Sequence, residues 1–487
     1  MRICVLGLDC AAPEIIFQDE RLVNIRRLMD LGIYGRLQSV VPPITVPAWM
    51  CMATSQDPGS LGLYGFRNRA DHSYEHLRFA NSASIKALAI WDHLARQGKK
   101  SIIVGVPPNF PPRHVNGISI GCFLTPDPAR DEFVYPAALK EKIAELVGEY
   151  PVDVKDFRTE RKDWLRDQIF AMSRKQWKIV HWLLKEHEWD YFHFVDIGLD
   201  RVHHGFWDCF DKQHVNYKPG NSYENVIPDY YLWLDEQIGR VMESLDDDTA
   251  LLVFSDHGAR RLDGGFAVNQ WLIEQGMLVL NSQPEGITPF NKLDVNWART
   301  LAWSEGGYYA RVFLNVQGRE PQGLIPAGEY ESFRNQLKAK LEAIQDDGGR
   351  PMNSLVFKPD EIYRQVRNVA PDLIVYFGGL SWRSIGTVGH AGNHLRENDS
   401  GPDACNHSQF GMFTLTSPNL PPQGERDGVG LLDLAPTLMD LAGFAIPESM
   451  QGKSLLDGME RLNSGSRTEA EEAEKAVHDR LAGLGYI

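Results

Sequence analysis

The chain has 487 residues, enough for two to four units at roughly 150 residues per domain, or for one large α/β domain with insertions. Hydrophobic residues at 43%, charged residues at 24% and aromatics at 10% are ordinary globular proportions, and they exclude a disordered, collagenous or disulfide-stapled chain. Acidic residues outnumber basic ones, 65 to 50, and the formal charge of −15 disfavours the wrapping of nucleic acid.

From the amino end, Ile3 to Leu8 is a short apolar run leading straight into Asp9. It is too short, and too soon followed by an acid, to be a secretory core, so the expected location is cytoplasmic. Further apolar runs of strand length lie at Ser101 to Val106, Tyr191 to Val195, Ala250 to Phe254, Leu373 to Phe377 and Met412 to Thr416. None approaches the roughly 20 residues of a membrane helix, so no transmembrane segment is expected. Between the runs, Trp164 to Lys185 carries Ile169, Met172, Trp177, Val180 and Leu184 at near-helical intervals, and Tyr230 to Leu245 repeats the pattern with Leu234, Ile238 and Val241.

Such alternation predicts an α/β fold, a mostly parallel sheet flanked by helices on both faces. From Gly264 to Gly386 the pattern breaks into turn-rich pieces around a helix at Tyr330 to Ile344, which reads as an inserted cap. The catalytic domain is therefore expected to be discontinuous, at 1–263 and 387–462, with the cap at 264–386. The tail, 463–487, opens with the linker-like Asn463-Ser464-Gly465-Ser466 and continues as a charged helix docking Leu481, Leu484 and Tyr486 on the body. The six cysteines (Cys4, Cys10, Cys51, Cys122, Cys209, Cys405) have no C-x-x-C or finger spacing and read as buried free thiols.

In open α/β sheets ligands gather beyond the carboxyl ends of the strands. Three such ends carry acids: Asp9 after the first run, Asp196 and Asp200 after Tyr191 to Val195, and Asp256 in Ser255-Asp256-His257-Gly258 after Ala250 to Phe254. Each alone reads more readily as a helix cap or turn residue; the combination shifts the balance. Asp200 and His204, four apart, share one helix face with about 5 to 6 Å between Cβ atoms, so a single cation can bridge them. A solvated acid and imidazole is the bland alternative. Asp256 and His257 can reach one ion only where the backbone leaves strand geometry, as Gly258 allows.

Thr45, in Val41-Pro42-Pro43-Ile44-Thr45-Val46-Pro47-Ala48-Trp49, is either a helix N-cap or a nucleophile. A free hydroxyl is scarcely ionised at neutral pH. Zinc lowers the pKa of bound water from about 15.7 to about 7, worth roughly 12 kcal/mol, against roughly 3 to 5 kcal/mol from general-base assistance. Metal activation is the stronger candidate.

These residues resemble the type I phosphodiesterase and nucleotide pyrophosphatase branch of the alkaline phosphatase superfamily. The likeness runs from Asp9 through the Thr45 segment, the Asp200 to His204 pair, Ser255-Asp256-His257-Gly258 and Asn398-Asp399-Ser400-Gly401-Pro402-Asp403-Ala404-Cys405-Asn406-His407 to Asp433-Leu434-Ala435-Pro436-Thr437, and includes the ending Arg480-Leu481 to Leu484-Gly485-Tyr486. It implies an alkaline phosphatase-like fold and a small-molecule phosphate ester as substrate. It also implies two divalent metal ions, zinc first, with manganese or iron as alternatives. Asp200, His204 and His407 would hold one ion; Asp9, Thr45, Asp256 and His257 would hold the other. Three aspartates and a threonine alkoxide balance two divalent ions in charge.

The implied mechanism is in-line attack of Thr45 on phosphorus, then hydrolysis of the phosphothreonine. His390 and His394 lie upstream of His407, but the family pattern selects His407 and leaves them to shape the loop or face substrate. His203 and Asp196 take supporting roles by default.

Some nucleotide pyrophosphatases carry a histidine and, later, a phosphoryl-holding asparagine after the nucleophile. In Pro58-Gly59-Ser60-Leu61-Gly62-Leu63-Tyr64-Gly65-Phe66 this chain has leucine and phenylalanine there, which weighs against a nucleotide. Arg67, Asn68 and Arg69 follow as candidate substrate contacts, with surface solvation as the commoner fate. A sulfatase requires an aldehyde formed from cysteine or serine, which Thr45 cannot give. A cofactor-independent phosphoglycerate mutase normally uses serine. The expected activity is that of a phosphodiesterase or pyrophosphatase. Phosphomonoesterase, phosphonate hydrolase, sulfatase-like esterase and a catalytically weak metal-stabilised binding protein are the alternatives.

Overall fold

Strand Arg2–Leu8 is buried on both faces and pairs in parallel with Tyr191–Asp196 on one side and Thr249–Phe254 on the other. Continuous apolar runs are what such doubly covered strands require. Alternating side chains feed two separate cores. Cys4, Leu6, Phe192, Phe194 and Val253 enter one, with helices Lys162–Glu186, Gly198–Phe210 and Val226–Ser244; Ile3, Val5, Tyr191, Leu252 and Phe254 enter the other, with Thr45–Thr54 and Leu434–Leu441. The full sheet has ten strands, five of them forming a central parallel group that Ser101–Val104 and Gly117–Ile120 complete. The computed structural model describes residues 1–396 and 398–458. The helix expected within 463–487 lies outside these residues. No helix among the described residues is long and apolar enough to cross a membrane. All six cysteines are free and buried.

Two departures from the sequence expectation concern strand partners. Phe410–Thr416 joins the central sheet antiparallel to both Thr249–Phe254 and Ile33–Gln38. Leu373–Tyr376, expected in the central sheet, instead lies in a separate four-stranded antiparallel sheet with Ala302–Glu305, Ala310–Leu314 and Leu355–Phe357. A short apolar run reports burial, not the identity of the sheet that buries it. Helix Tyr330–Glu342 packs on this second sheet through Leu337 and Leu341, in a core of its own with Trp303, Phe313 and Leu373.

Register places the functional edge. Leu8 lies opposite Asp196, and Gly7 opposite Phe254, so the three central strands end level and their next residues leave from one edge. Just beyond, Gly258–Arg261 pairs antiparallel with Cys405–Ser408, which sets His407 across from Ala259.

Candidate metal centre and active site

Asp9 ends the first strand fully buried, and its Oδ2 accepts a 2.7 Å hydrogen bond from the indole N–H of Trp49. Its Oδ1 has no hydrogen-bond partner, and neither do Asp200 Oδ1 and Asp256 Oδ2, although all three atoms are buried. A buried ionised oxygen without a partner is costly, so three at one place ask for positive charge. Burial pushes the carboxyls of Asp9 and Asp256 well above the usual range, each further raised by a neighbouring aspartate. Burial also opposes ionisation of Asp200, but His204 and Arg201 outweigh it and hold that carboxyl well below the usual range.

The histidines are oriented to match. His204 stands one turn beyond Asp200 on helix Gly198–Phe210, with Nε2 3.2 Å from Asp200 Oδ1 and Nδ1 2.6 Å from Asp403 Oδ1. The Nδ1 of His407 lies 2.9 Å from the carbonyl of Pro43, and that of His257 lies 3.2 Å from the carbonyl of Gly258. Each Nδ1 thus donates to an oxygen, which leaves Nε2 of His257 and His407 with a lone pair for a metal; burial opposes protonation of His204, but Asp403 and Asp200 outweigh it and raise its pKa well above the ordinary value, so its Nε2 would release a proton on taking a metal. These Nε2 atoms converge: His204 and His407 are 3.4 Å apart, and the rings of His257 and His407 stack with centroids 3.8 Å apart. Burial drives the pKa of His257 down to about 4 and that of His407 well below its ordinary value, so both are neutral ligands near pH 7.

Potential ligand atoms within 4.8 Å of one another gather as Asp200, His204 and His407, and as Asp9, Asp256 and His257, the two groups expected from the sequence, less Thr45; two overlapping groups join Cys10 to His257 and His407, and Cys405 to His204 and Asp403. Oxygen and imidazole donors with orphaned carboxylate oxygens fit two divalent ions. Thr45 is the first residue of helix Thr45–Thr54; Ile44 occupies the cap position, so the hydroxyl is not an N-cap. Instead Thr45 Oγ1 lies 3.3 Å from His257 Nε2.

Thr45, Asp200 and His407 face a cavity of about 320 Å³, walled in part by Phe66, Phe123, Phe157 and Tyr308. Tyr308, in the turn between Ala302–Glu305 and Ala310–Leu314, stacks on His407 at 4.2 Å and accepts a 2.6 Å hydrogen bond from Arg158. That turn therefore supplies one wall. Of the expected substrate contacts, Arg67 lines the cavity. Asn68 and Arg69 do not, and for them the expectation is corrected. Asn68 accepts from the backbone N–H of Tyr64 and donates to Gly65 O, closing a local turn. Arg69 is buried against Glu320, over Trp303 and Phe313, because a guanidinium this deep needs a carboxylate and ring faces.

Asp196 is held by Trp177 and Tyr230, and His203 is packed between Trp207 and Tyr231. His390 bonds Thr387 and His394 bonds Asp347; neither lines the cavity. Sequence reasoning left unassigned Asp403, which orients His204, and the arginines Arg158, Arg201, Arg311 and Arg383. The adjacency of Arg201 to Asp200, and of Asp403 to the His407 segment, was the available signal.

A helix-flanked, largely parallel sheet carries these carboxylates and imidazoles at its carboxyl edge. Residues 3–403 match the model of the family "Type I phosphodiesterase / nucleotide pyrophosphatase", and the chain belongs to that family. It is a hydrolase of phosphoric esters or anhydrides. Among solved structures, murine ectonucleotide pyrophosphatase / phosphodiesterase 5 is similar at 13% identity and a TM-score of 0.54, over 94% of this chain and 99% of that one. Phosphonoacetate hydrolase from Sinorhizobium meliloti 1021, in complex with phosphonoacetate, is similar at 16% identity and a TM-score of 0.58, over 89% and 94%. At these identities the likeness speaks for the fold. No curated protein matches the chain.

Proposed function

We propose that the protein is a two-metal phosphodiesterase or pyrophosphatase with Thr45 as its nucleophile, and that residues 264–386 form a cap shaping the substrate pocket. The observation that carries this reading is the Thr45 hydroxyl at a helix N-terminus, in the cavity and 3.3 Å from His257. Asp200, His204 and His407 would hold one divalent ion, and Asp9, Asp256, His257 and Thr45 the other. Zinc suits these donors best, with manganese or iron next. When bound, such ions supply Lewis acidity and lower the pKa of coordinated hydroxyls.

The chain's own groups do the positioning. The amino end of helix Thr45–Thr54 favours an anionic phosphoryl group beside the hydroxyl. The attack forms a bond from Thr45 Oγ1 to phosphorus and breaks the bond to the leaving oxygen. Water then cleaves the phosphothreonine and restores the hydroxyl. The cavity size favours a small molecule over a polymer. Phe66 lines the cavity at the position where nucleotide-specific relatives were expected to have an asparagine, which supports a non-nucleotide substrate.

Thr45→Ala is expected to abolish the phosphoenzyme seen by mass spectrometry and to lower kcat by at least about 10³-fold, while Thr45→Ser retains turnover. Wild-type activity in the alanine variant would overturn the assignment. A panel of aryl phosphate monoester, diester, phosphonate and sulfate substrates fixes the reaction, and a preference for sulfate would reject it.

A further inference from the structure

Five arginines line the cavity: Arg67, Arg158, Arg201, Arg311 and Arg383. Four carboxylates pair with them: Asp153 and Asp200 with Arg201, Asp403 with Arg158 and Arg383, and Glu305 with Arg67 and Arg311. Asp200 belongs with His204 and His407 in the candidate metal group. That leaves three carboxylates for five guanidiniums, an excess of two positive charges in a chain whose net charge is −15. A local reversal of sign inside a walled cavity concentrates anions there.

Closeness to a carboxylate separates the structural arginines from the available ones. Arg201 engages all three nitrogens with Asp153 and Asp200, and Arg383 places two on Asp403 and Ser400. Arg67 is different: its side chain is 46% exposed, and its carboxylate partner is Glu305 at 3.2 Å. Arg311 meets the same Glu305 only at 3.8 Å and otherwise holds the carbonyl of Arg67. Arg158 donates to the neutral Tyr308 hydroxyl at 2.6 Å and reaches Asp403 Oδ2 at 3.2 Å, an oxygen that Arg383 holds more closely at 2.7 Å. These three guanidiniums are under-neutralised, and their forked N–H groups match carboxylate and phosphate oxygens.

Building on the hydrolase reading above, we infer that Arg67, Arg158 and Arg311 bind a second oxyanion of the substrate, apart from the reacting phosphoryl group. The substrate is then a small phosphoric ester, anhydride or phosphonate that carries a carboxylate or a further phosphate. Phe66, Phe123 and Phe157 give the connecting atoms an apolar wall.

The test uses the 487-residue chain loaded with zinc and three 4-nitrophenyl phosphodiesters. Their second substituent is 2-carboxyethyl, 2-phosphonoethyl or the neutral 2-carbamoylethyl. At least one acidic ester is expected to exceed the carbamoyl ester about tenfold in kcat/KM, the size of a charge-assisted contact, and the better acid identifies the oxyanion. Arg67→Met and Arg158→Met are each expected to reduce that preference at least threefold; should the second variant fail to fold, the exposed Arg67 carries the comparison. Equal turnover of all three esters, or a preference unchanged in the folded variants, would overturn the inference. Calorimetric binding of the same esters to Thr45→Ala protein reads the pocket without turnover. Equal affinities there sink the oxyanion site alone, whereas selective binding without turnover by the wild-type protein sinks the hydrolase reading and leaves the site standing.

Discussion

Replacing Asp403 with asparagine tests how far metal affinity is set by a residue outside the ligand groups. Asp403 Oδ1 lies 2.6 Å from His204 Nδ1, while Oδ2 takes Arg383 at 2.7 Å and Arg158 at 3.2 Å. Burial opposes its ionisation, yet His204, Arg383 and Arg158 hold the carboxyl well below the usual range. Asparagine keeps the size and one acceptor. If that oxygen stays on His204 Nδ1–H, the new amide N–H group faces two guanidiniums; if the amide flips, it faces the imidazole donor. The first orientation loses two charge-assisted hydrogen bonds, to Arg383 and Arg158, and the flipped one loses only that to His204, about 1.5 to 3 kcal/mol, so the flip is the cheaper outcome. Loss of the partner of a ligating histidine typically weakens metal binding about 10- to 100-fold, which is about 1.4 to 2.7 kcal/mol, so the two routes agree. Competition against a chelator, with metal content read by mass spectrometry, should show one ion per chain weakened by that factor. The other should change less than about threefold, since the Asp9, Asp256 and His257 group has no hydrogen bond to Asp403. Unchanged affinity at both sites would refute the coupling; equal weakening at both, with a lower Tm, would make Asp403 a fold residue.

Asp256→Asn should raise the Tm of chelator-treated protein and lower metal uptake. Burial and Asp9 raise the Asp256 carboxyl, so without metal its contribution to stability declines as pH rises above its ordinary value of 3.8; a lower Tm for the variant across that range would contradict this. His193 is buried among Trp49, Trp91 and Phe254, and burial lowers its pKa from 6.5 to about 3. The unfolded chain takes up a proton that the folded chain refuses, so stability is full above pH 6.5 and falls as pH drops towards 3. Between pH 7 and 5 the wild-type protein should lose about 2 kcal/mol more than His193→Phe in urea unfolding, and parallel losses would reject the assignment. Gly7→Ala would set a Cβ 2.2 Å from the Trp49 ring, whose N–H holds Asp9. Overpacking of this kind costs about 1 to 3 kcal/mol, so a variant with wild-type Tm and activity would show that Trp49 can yield.

The candidate metal ligands and the arginines of the cavity differ in how far the sequence reveals them, and the difference has a physical cause. Asp9, Asp200 and Asp256 follow strands buried on both faces, whose continuous apolar runs are legible and whose level ends oblige the next residues to share an edge. Asp200 and His204 add a helical spacing that needs no tertiary information. His407 is harder: the pairing of Gly258–Arg261 with Cys405–Ser408 brings it to the site across about 150 residues, and nothing local encodes that pairing, so family resemblance was needed to choose it over His390 and His394. The same limit explains Leu373–Tyr376, whose apolar run suited either sheet. It also explains Arg67 and Arg69, two residues apart, one at the cavity and one beneath Glu320. Arg158, Arg311 and Arg383 come from three distant segments, and a guanidinium on a long stem can reach a cavity from almost any loop without fixing its own spacing to the metal ligands. The candidate metal groups therefore sit at the rigid edge of the sheet, where register constrains position, while the cavity's arginines, Arg311 and Arg383 among them on strands Ala310–Leu314 and Trp382–Ile385, arrive from segments whose spacing to those groups no local pattern records.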